Sequence, residues 1–168
     1  MFAPEMESRD ASFSKEQFES VLGCLAELVE KLRVSAVLLI NSSGRVLARR
    51  AGDSDQGDPA VMGALAASTY LAAGEMASML GERSNFKMVL HEGEQHNIFI
   101  SSVGEDYYLV IVFRTSVALG MVRLFARRAV GRLLPTLKQQ QPATDFDALF
   151  DRHFQTLLGE ELDRTFRD

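Results

Sequence analysis

The run of small residues between Pro59 and Gly81 constrains the fold of this chain more than any other feature. It has the length of a helix, proline stands at its first turn, and Asp58 precedes it as a cap. The larger apolar residues gather on one side of a 3.6-residue wheel, and this spacing predicts that this side faces the core. The residues of this predicted core stripe are Val61, Met62, Leu65, Met76, Met79 and Leu80.

Small residues cover nearly all of the remaining surface of this predicted helix. An exposed helix normally carries long polar side chains, and each glycine in a helix costs roughly 1 kcal/mol relative to alanine. The composition therefore favours close approach by another backbone and predicts a docking surface, while packing against this chain's own loops is the alternative. One side, which we call the small-residue flank, comprises Gly63, Ala66, Tyr70, Gly74 and Ala77. The side that points away from the core stripe carries Ala64, Ala67, Ser68, Leu71, Glu75 and Ser78, and we call the first five of these the outward set.

Composition and charge limit the class of protein. A chain of 168 residues can bury a core without disulfides or structural metal, and a net charge of −5 argues against nucleic acid as a partner. The single cysteine, Cys24, excludes an internal disulfide and a cysteine metal cluster. The N-terminal residues are polar and acidic, unlike a signal peptide, and no stretch reaches membrane-spanning length. We therefore expect a cytoplasmic protein that does not insert into membranes.

Turn chemistry and hydrophobic periodicity predict the element order αββαβββα. Apolar residues at helical spacing follow a cap at Ser12 or Ser14, and Asn41-Ser42-Ser43-Gly44 predicts a hairpin turn between two strands. Three β-rich runs then predict a meander, and the stripe over 117–138 predicts a last helix that Pro135 ends or bends. This order predicts an α/β (α+β) domain, with a five-stranded antiparallel sheet sandwiched between helices.

The chain divides into four predicted segments. These are a flexible leader at 1–12, the sheet-containing domain at 13–138, a linker at 139–144 and an acidic amphipathic arm at 145–168. The arm keeps apolar residues, among them Phe146, Leu149 and Phe150, at helical spacing, and an isolated helix of this length is only marginally stable. We therefore expect the arm to lie against a surface, either on this domain or on another chain.

The sequence shows no motif that holds a phosphate, a metal or a catalytic nucleophile. His91 and His96 flank a tight turn with Glu92 and Glu94, but side chains beside a hairpin turn are ordinarily solvated. The arginines of the last helix either receive an acidic partner or form the wet face of an amphipathic helix. The sequence thus predicts no catalytic residue, no metal site and no cofactor.

Four stretches of the sequence form a recognisable set. They are VSAVLLINSSGRVLA, the small-residue helix ending in MLGE, FKMVLHEG, and LVIVFRTSVALGMVRL, of which TSVALGMVRL is the most specific part. Together they resemble the Roadblock/dynein light-chain family, and within it the MglB-like branch of bacterial polarity regulators. The resemblance covers roughly Phe13 to Leu137, and FDALF beyond the linker resembles the short C-terminal arm of such proteins.

The resemblance implies a homodimer in which the middle helices pair antiparallel and edge strands join into one sheet. It assigns the small-residue flank to the dimer interface and the outward set to a platform for one small Ras-like GTPase of the MglA type. It also implies a protein that is not an enzyme itself but stimulates GTP hydrolysis, by stabilising the active arrangement of the GTPase's own switch residues. The arm, through Phe146, Leu149 and Phe150, would contact the GTPase elsewhere, and partners would concentrate the protein at a cell pole.

The chain departs from the family pattern at two places in the middle helix. Ser68-Thr69-Tyr70 stands where an Ala-Gly-Asn type segment is common, and Glu75 stands where a smaller residue is common. The alternative function is a non-activating scaffold, or an adaptor that assists nucleotide exchange, which recruits polarity, motility or signalling proteins. A small-molecule sensor is a third possibility, and it requires a pocket.

Overall fold

The computed structural model describes residues 13–53 and 57–139, and its helices and strands follow the predicted order. In chain order they are α1 (Lys15–Leu32), β1 (Ala36–Asn41), β2 (Val46–Ala51), α2 (Pro59–Met79), β3 (Met88–Glu92), β4 (His96–Val103), β5 (Tyr107–Arg114) and α3 (Leu119–Lys138). The αββαβββα order and the five-stranded antiparallel sheet between helices are therefore confirmed. The predicted leader, the arm and most of the linker lie outside the described residues, so the division into four segments stays a prediction.

The strands form one sheet in the order β2-β1-β5-β4-β3, with every neighbouring pair antiparallel. β1 and β5 lie in the interior of the sheet, where Leu39 stands opposite Leu109. Helices cover both faces of these two strands, which explains why both are continuously apolar instead of alternating. β2 and β3 form the two edges.

The helices on the two faces of the sheet contribute buried side chains of different size. α1 and α3 lie over one face and share a core of large aliphatic residues, such as Leu25, Leu109 and Leu133. α2 lies over the other face, in a smaller cluster to which it contributes alanines and one tyrosine. Tyr107 packs against the first cluster and Tyr108 belongs to the second, as the alternation of side chains along a strand requires.

The ends of the helices show which sequence signals the fold uses. Ser14, one of the two predicted caps, forms a capping box in which its Oγ accepts from the Gln17 N–H at 3.1 Å. The Gln17 Oε1 accepts from the Ser14 N–H at 2.9 Å in return. α3 passes through Pro135 and continues to Lys138, so this proline does not end the helix.

Candidate protein-docking surface

The outer side of α2 is apolar and exposed. Met79 is 88% exposed, Leu65 62% and Leu71 58%, and Glu75 is the one charged residue in the sequence of α2. A surface helix normally has charged or polar residues on its outer side, so this composition favours contact with another protein. Neither α2 nor any other helix among the described residues is long and apolar enough to cross a membrane.

The predicted core stripe of this helix is wrong. Five of its six residues are exposed and the sixth, Met62, is partly buried. The wheel assigned the larger side chains to the core, whereas the space between α2 and the sheet accommodates mainly small ones. The buried residues of α2 are Gly63, Ala66, Ala67, Tyr70, Ala73 and Ala77.

The small-residue flank therefore faces this chain's own sheet. Ala66 and Tyr70 are buried in a cluster with residues of β1, β4 and β5, and Gly63 and Ala77 are buried as well. These four residues expose almost no surface to a second copy, so their predicted place in a dimer interface is wrong. The fifth, Gly74, is half-buried beneath the connection that follows α2.

Two glycines allow α2 to approach the sheet so closely. Gly44, in the turn between β1 and β2, has a φ of +87°, and a Cβ on it would lie 2.7 Å from the Cα of Ala64. A Cβ on Gly63 would collide with the carbonyl oxygen of Gly44 and would lie 3.0 Å from the Cγ2 of Val46. The close approach by another backbone is thus present, but that backbone is this chain's own β1–β2 turn.

Four of the five residues of the outward set are exposed, namely Ala64, Ser68, Leu71 and Glu75. The Oγ of Ser68 donates to the carbonyl oxygen of Ala64 at 2.9 Å, which satisfies the hydroxyl within the helix. Ala67 is 3% exposed and belongs to the cluster against the sheet, so its place in the outward set is wrong.

A second row of exposed residues runs beside the outward set, and sequence reasoning missed it as a surface. We call this row the apolar stripe, and it consists of Val61, Leu65, Ala72, Met76 and Met79. The helical wheel does not indicate this exposed surface, because it places the larger residues of α2 on the predicted core side. The near absence of charge from every side of the helix was the available signal.

The connection between α2 and β3 returns onto the middle of α2. The Tyr70 hydroxyl donates to the Phe86 carbonyl oxygen at 2.6 Å, and the Asn85 Nδ2 donates to the Tyr70 carbonyl oxygen at 3.1 Å. The Asn85 Oδ1 also accepts from the Phe86 N–H at 2.7 Å. Gly74 leaves room for this arrangement, since a Cβ on it would lie 2.9 Å from the Asn85 Nδ2.

The edge strand β3 is a second surface suited to protein contact. It pairs with β4 from Met88, opposite Ser101, to Glu92, opposite Asn97, and it ends the sheet. Its other edge is not paired with any strand among the described residues. An edge strand of this kind offers backbone N–H and C=O groups to a strand of another chain.

The perturbed ionisable groups lie mainly on the opposite side of the sheet. Glu27 accepts hydrogen bonds from Lys31, at 2.8 Å, and from Arg132, and these bonds lower the pKa of its carboxyl group. Burial raises the pKa of the Cys24 thiol, which disfavours the reactive thiolate. Across 13–53 and 57–139, no three His, Cys, Asp or Glu side chains come together as a metal site.

A cavity of 240 Å³ lies beside the first turn of α2. Leu38, Ile98 and Val112 contribute apolar lining, and Arg49 and His96 contribute polar groups. Its volume is below the roughly 300–1,000 Å³ that is usual for ligand pockets. The geometry therefore favours a protein-docking role over a small-molecule sensor.

Comparisons with known proteins identify a family match and similar solved structures. Residues 24–113 match the model of the Roadblock/LC7 domain. The MglB of Myxococcus xanthus is similar in structure, with a TM-score of 0.71 and 25% identity, over 79% of this chain and 98% of the other. An MglB with a tetrameric arrangement gives 0.73 and 26%, over 80% of this chain and 100% of the other. The gliding protein MglB of Thermus thermophilus gives 0.72 and 25%, over 79% and 99%.

Proposed function

This chain belongs to the Roadblock/LC7 family, and we propose that it is a homodimeric regulator that binds a small Ras-like GTPase of the MglA type and stimulates GTP hydrolysis. The observation that carries the proposal is the outer side of α2, an exposed apolar surface with a single charge. The similarity to three MglB structures supports a GTPase-associated regulator of this class.

We assign the dimer contact to the apolar stripe of α2 and to the open edge of β3. The stripe residues Leu65, Met76 and Met79 are more than half exposed, and pairing with a second copy would remove this apolar area from water. A second β3 strand would satisfy the open edge and make one sheet continuous through both copies. One of the similar proteins is an MglB with a tetrameric arrangement, which supports association as a property of such chains.

We assign the GTPase platform to the exposed residues of the outward set, which lie beside the apolar stripe on the same helix. Leu71 supplies an apolar anchor, while Ala64 and Ser68 are small enough to let a partner's backbone come close. In the dimer, two α2 helices side by side form one continuous surface that binds one GTPase. The chain acts on hydrolysis by holding the GTPase's own switch residues in their active arrangement, and it supplies no catalytic group itself.

The arm and the cellular location complete the proposal from the sequence alone. Phe146, Leu149 and Phe150 of the arm lie outside the described residues, and their contact with the GTPase stays a prediction. The cytoplasmic location of the protein and its concentration at a cell pole through partners stay predictions as well.

The test is a pair of matched charge insertions on the two sides of the sheet. Leu71→Arg places a long cation on the outward set, and we expect GTPase affinity to fall by about 100-fold or more, as for a truncated or obstructed hot spot. Leu124→Arg is the control, because Leu124 is a 43% exposed leucine on α3, on the other face of the sheet. Calorimetric titration with the Ras-like GTPase that co-purifies with the full chain measures both, and sedimentation velocity checks that both variants remain dimers. Equal affinities for the two variants would contradict the platform.

The alternative function is a non-activating scaffold or an exchange-assisting adaptor, and the exposed carboxylate of Glu75 favours it. This charge lies in the outward set, where it can repel negatively charged groups at the GTPase's nucleotide site. The chain can then bind the GTPase without stimulating GTP hydrolysis. Single-turnover GTP hydrolysis at saturating concentrations of this chain separates the two functions. A rate increase supports activation, and an unchanged rate with full binding supports the scaffold.

A further inference from the structure

The proposed dimer uses two separate elements of each subunit, the apolar stripe of α2 and the edge of β3. Two elements add their contacts to one interface only when their relative position is fixed before association, because ordering a mobile element on binding reduces the affinity. The segment that joins them, residues 80–87, has no regular secondary structure. What fixes this segment therefore matters for association.

The segment is anchored at both of its ends. At the end of α2, Gly81 takes a φ of +77° and the Glu82 N–H donates to the Ala77 carbonyl oxygen at 3.0 Å, which turns the chain back. Just before β3, Asn85 lies over Gly74 and joins the Tyr70 backbone, and the Tyr70 hydroxyl reaches the Phe86 carbonyl oxygen.

The second anchor is itself rigidly held. Tyr70 is 3% exposed, and its ring lies 4.5 Å from the ring of Tyr108 on the central strand β5. Its hydroxyl therefore has a fixed position relative to the sheet. Asn85 satisfies both ends of its amide, as a donor to Tyr70 and as an acceptor from Phe86. A partly buried network of this kind favours one arrangement of the connection.

We propose that the Tyr70–Asn85 pair fixes the position of β3 relative to α2 and thereby sets the affinity of dimer formation. The inference rests on the dimer of the proposed function. It adds that residues wholly inside one subunit determine how well two subunits associate, because they prepare the two-part surface in advance. Tyr70 and Asn85 act here as positioning residues, through hydrogen bonds within one subunit.

The test compares two variants that loosen the connection with one that weakens the fold elsewhere. Tyr70→Phe removes one hydroxyl, and Asn85→Ala removes the amide that bridges to Tyr70. We expect each to raise the dimer dissociation constant about fivefold to tenfold in sedimentation equilibrium of the full chain, since each removes one hydrogen bond between the connection and Tyr70. Val21→Ala is the control: Val21 is fully buried on the inner side of α1, on the other face of the sheet, so this variant loses at least as much stability. Its dissociation constant should stay within about twofold of the unmodified chain, since changes outside the interface and its support leave binding nearly unchanged.

The outcomes separate this inference from the proposed dimer. If Met79→Glu leaves association unchanged, the α2 interface is wrong and the inference falls with it. If Met79→Glu breaks the dimer while Tyr70→Phe and Asn85→Ala associate normally, or weaken it no more than Val21→Ala does, the positioning role alone is overturned.

Hydrogen exchange of the unmodified chain provides a measurement that does not depend on the variants folding. At concentrations where the subunit is alone, the Phe86 amide, which donates to the Asn85 Oδ1, should already be protected. Protection that arises only on dimer formation would show that the connection is ordered by the partner, and would overturn the proposal.

Discussion

The outer sides of α2 and α3 lie on opposite faces of one sheet and differ in the charge and hydrophobicity of their exposed residues. α3 exposes Arg123, Arg127 and Arg128, and its sequence contains no acidic residue. α2 exposes leucine and methionine and has Glu75 as its one charged residue. The two helices are of similar length and cover opposite faces of the same sheet, so helix length does not account for the difference. It indicates that the α3 side is built to face water and the α2 side to face protein.

The inner sides of these helices differ in the reverse sense. α1 and α3 fill their face of the sheet with large side chains such as Leu25, Leu28 and Leu133. α2 meets its face mainly with alanine and glycine, and its larger residues point outward. The α2 layer therefore gains less apolar burial from its own chain, and association with other proteins can supply what its own sheet does not.

The largest effect is expected from placing an acid on each outer side. Leu65→Glu puts a charge in the apolar stripe, and we expect dimer affinity to fall by about 100-fold, because the carboxylate loses water without gaining a partner. Met121→Glu is the matched change on α3, at a methionine that is also exposed. It should leave association unchanged in a sedimentation dilution series. Equal losses would end the distinction between the two sides.

A smaller effect is expected from adding one methyl group to a glycine on each side. Gly63→Ala forces a Cβ against the Gly44 carbonyl oxygen, and we expect it to reduce the free energy of unfolding by about 2 kcal/mol in urea titration. Gly131→Ala, in α3, meets no atom within 4 Å and should instead stabilise by up to about 1 kcal/mol, as alanine does in helices. If Gly63→Ala also stabilises, the tight contact between α2 and the β1–β2 turn is wrong.

The smallest effect concerns the charged network on the α1–α3 side. Hydrogen bonds from Lys31 and Arg132 lower the pKa of Glu27 below its usual value of 4.5. A lowered pKa in the folded state stabilises the fold above pH 4.5, and this contribution is lost as the pH falls through the lowered pKa. The unmodified chain should therefore be slightly more stable than Glu27→Gln at pH 7, and the difference should vanish in acid. Urea titrations at pH 7 and pH 3 measure it, and a difference that grows in acid would contradict the assignment.

The element order was predictable because its signals are local. Asn41-Ser42-Ser43-Gly44 contains its own turn chemistry, and Asp58 followed by Pro59 marks the start of α2 whatever lies around it. Ser14 and Gln17 likewise stand three residues apart and cap α1 without help from the rest of the chain.

The facing of α2 was not predictable, because it depends on partners distant in the sequence. The helical wheel gives the relative positions of side chains around α2, but it does not give the distance between the helix and the sheet. That distance depends on the contact between Gly44 and Gly63. A strand and a loop separate these two glycines along the chain, and a single sequence does not show that they meet. Asn85 was missed for the same reason, since its role exists only where the connection returns over Gly74.

The inward placement of alanines and glycines on α2 has a consequence for how such proteins diversify. Residues that determine whether the subunit folds point one way, and residues that meet another molecule point the other. Substitution on the outer side can therefore change the choice of partner while the architecture persists. A lineage can inherit this scaffold intact and acquire new associates through a few outward positions.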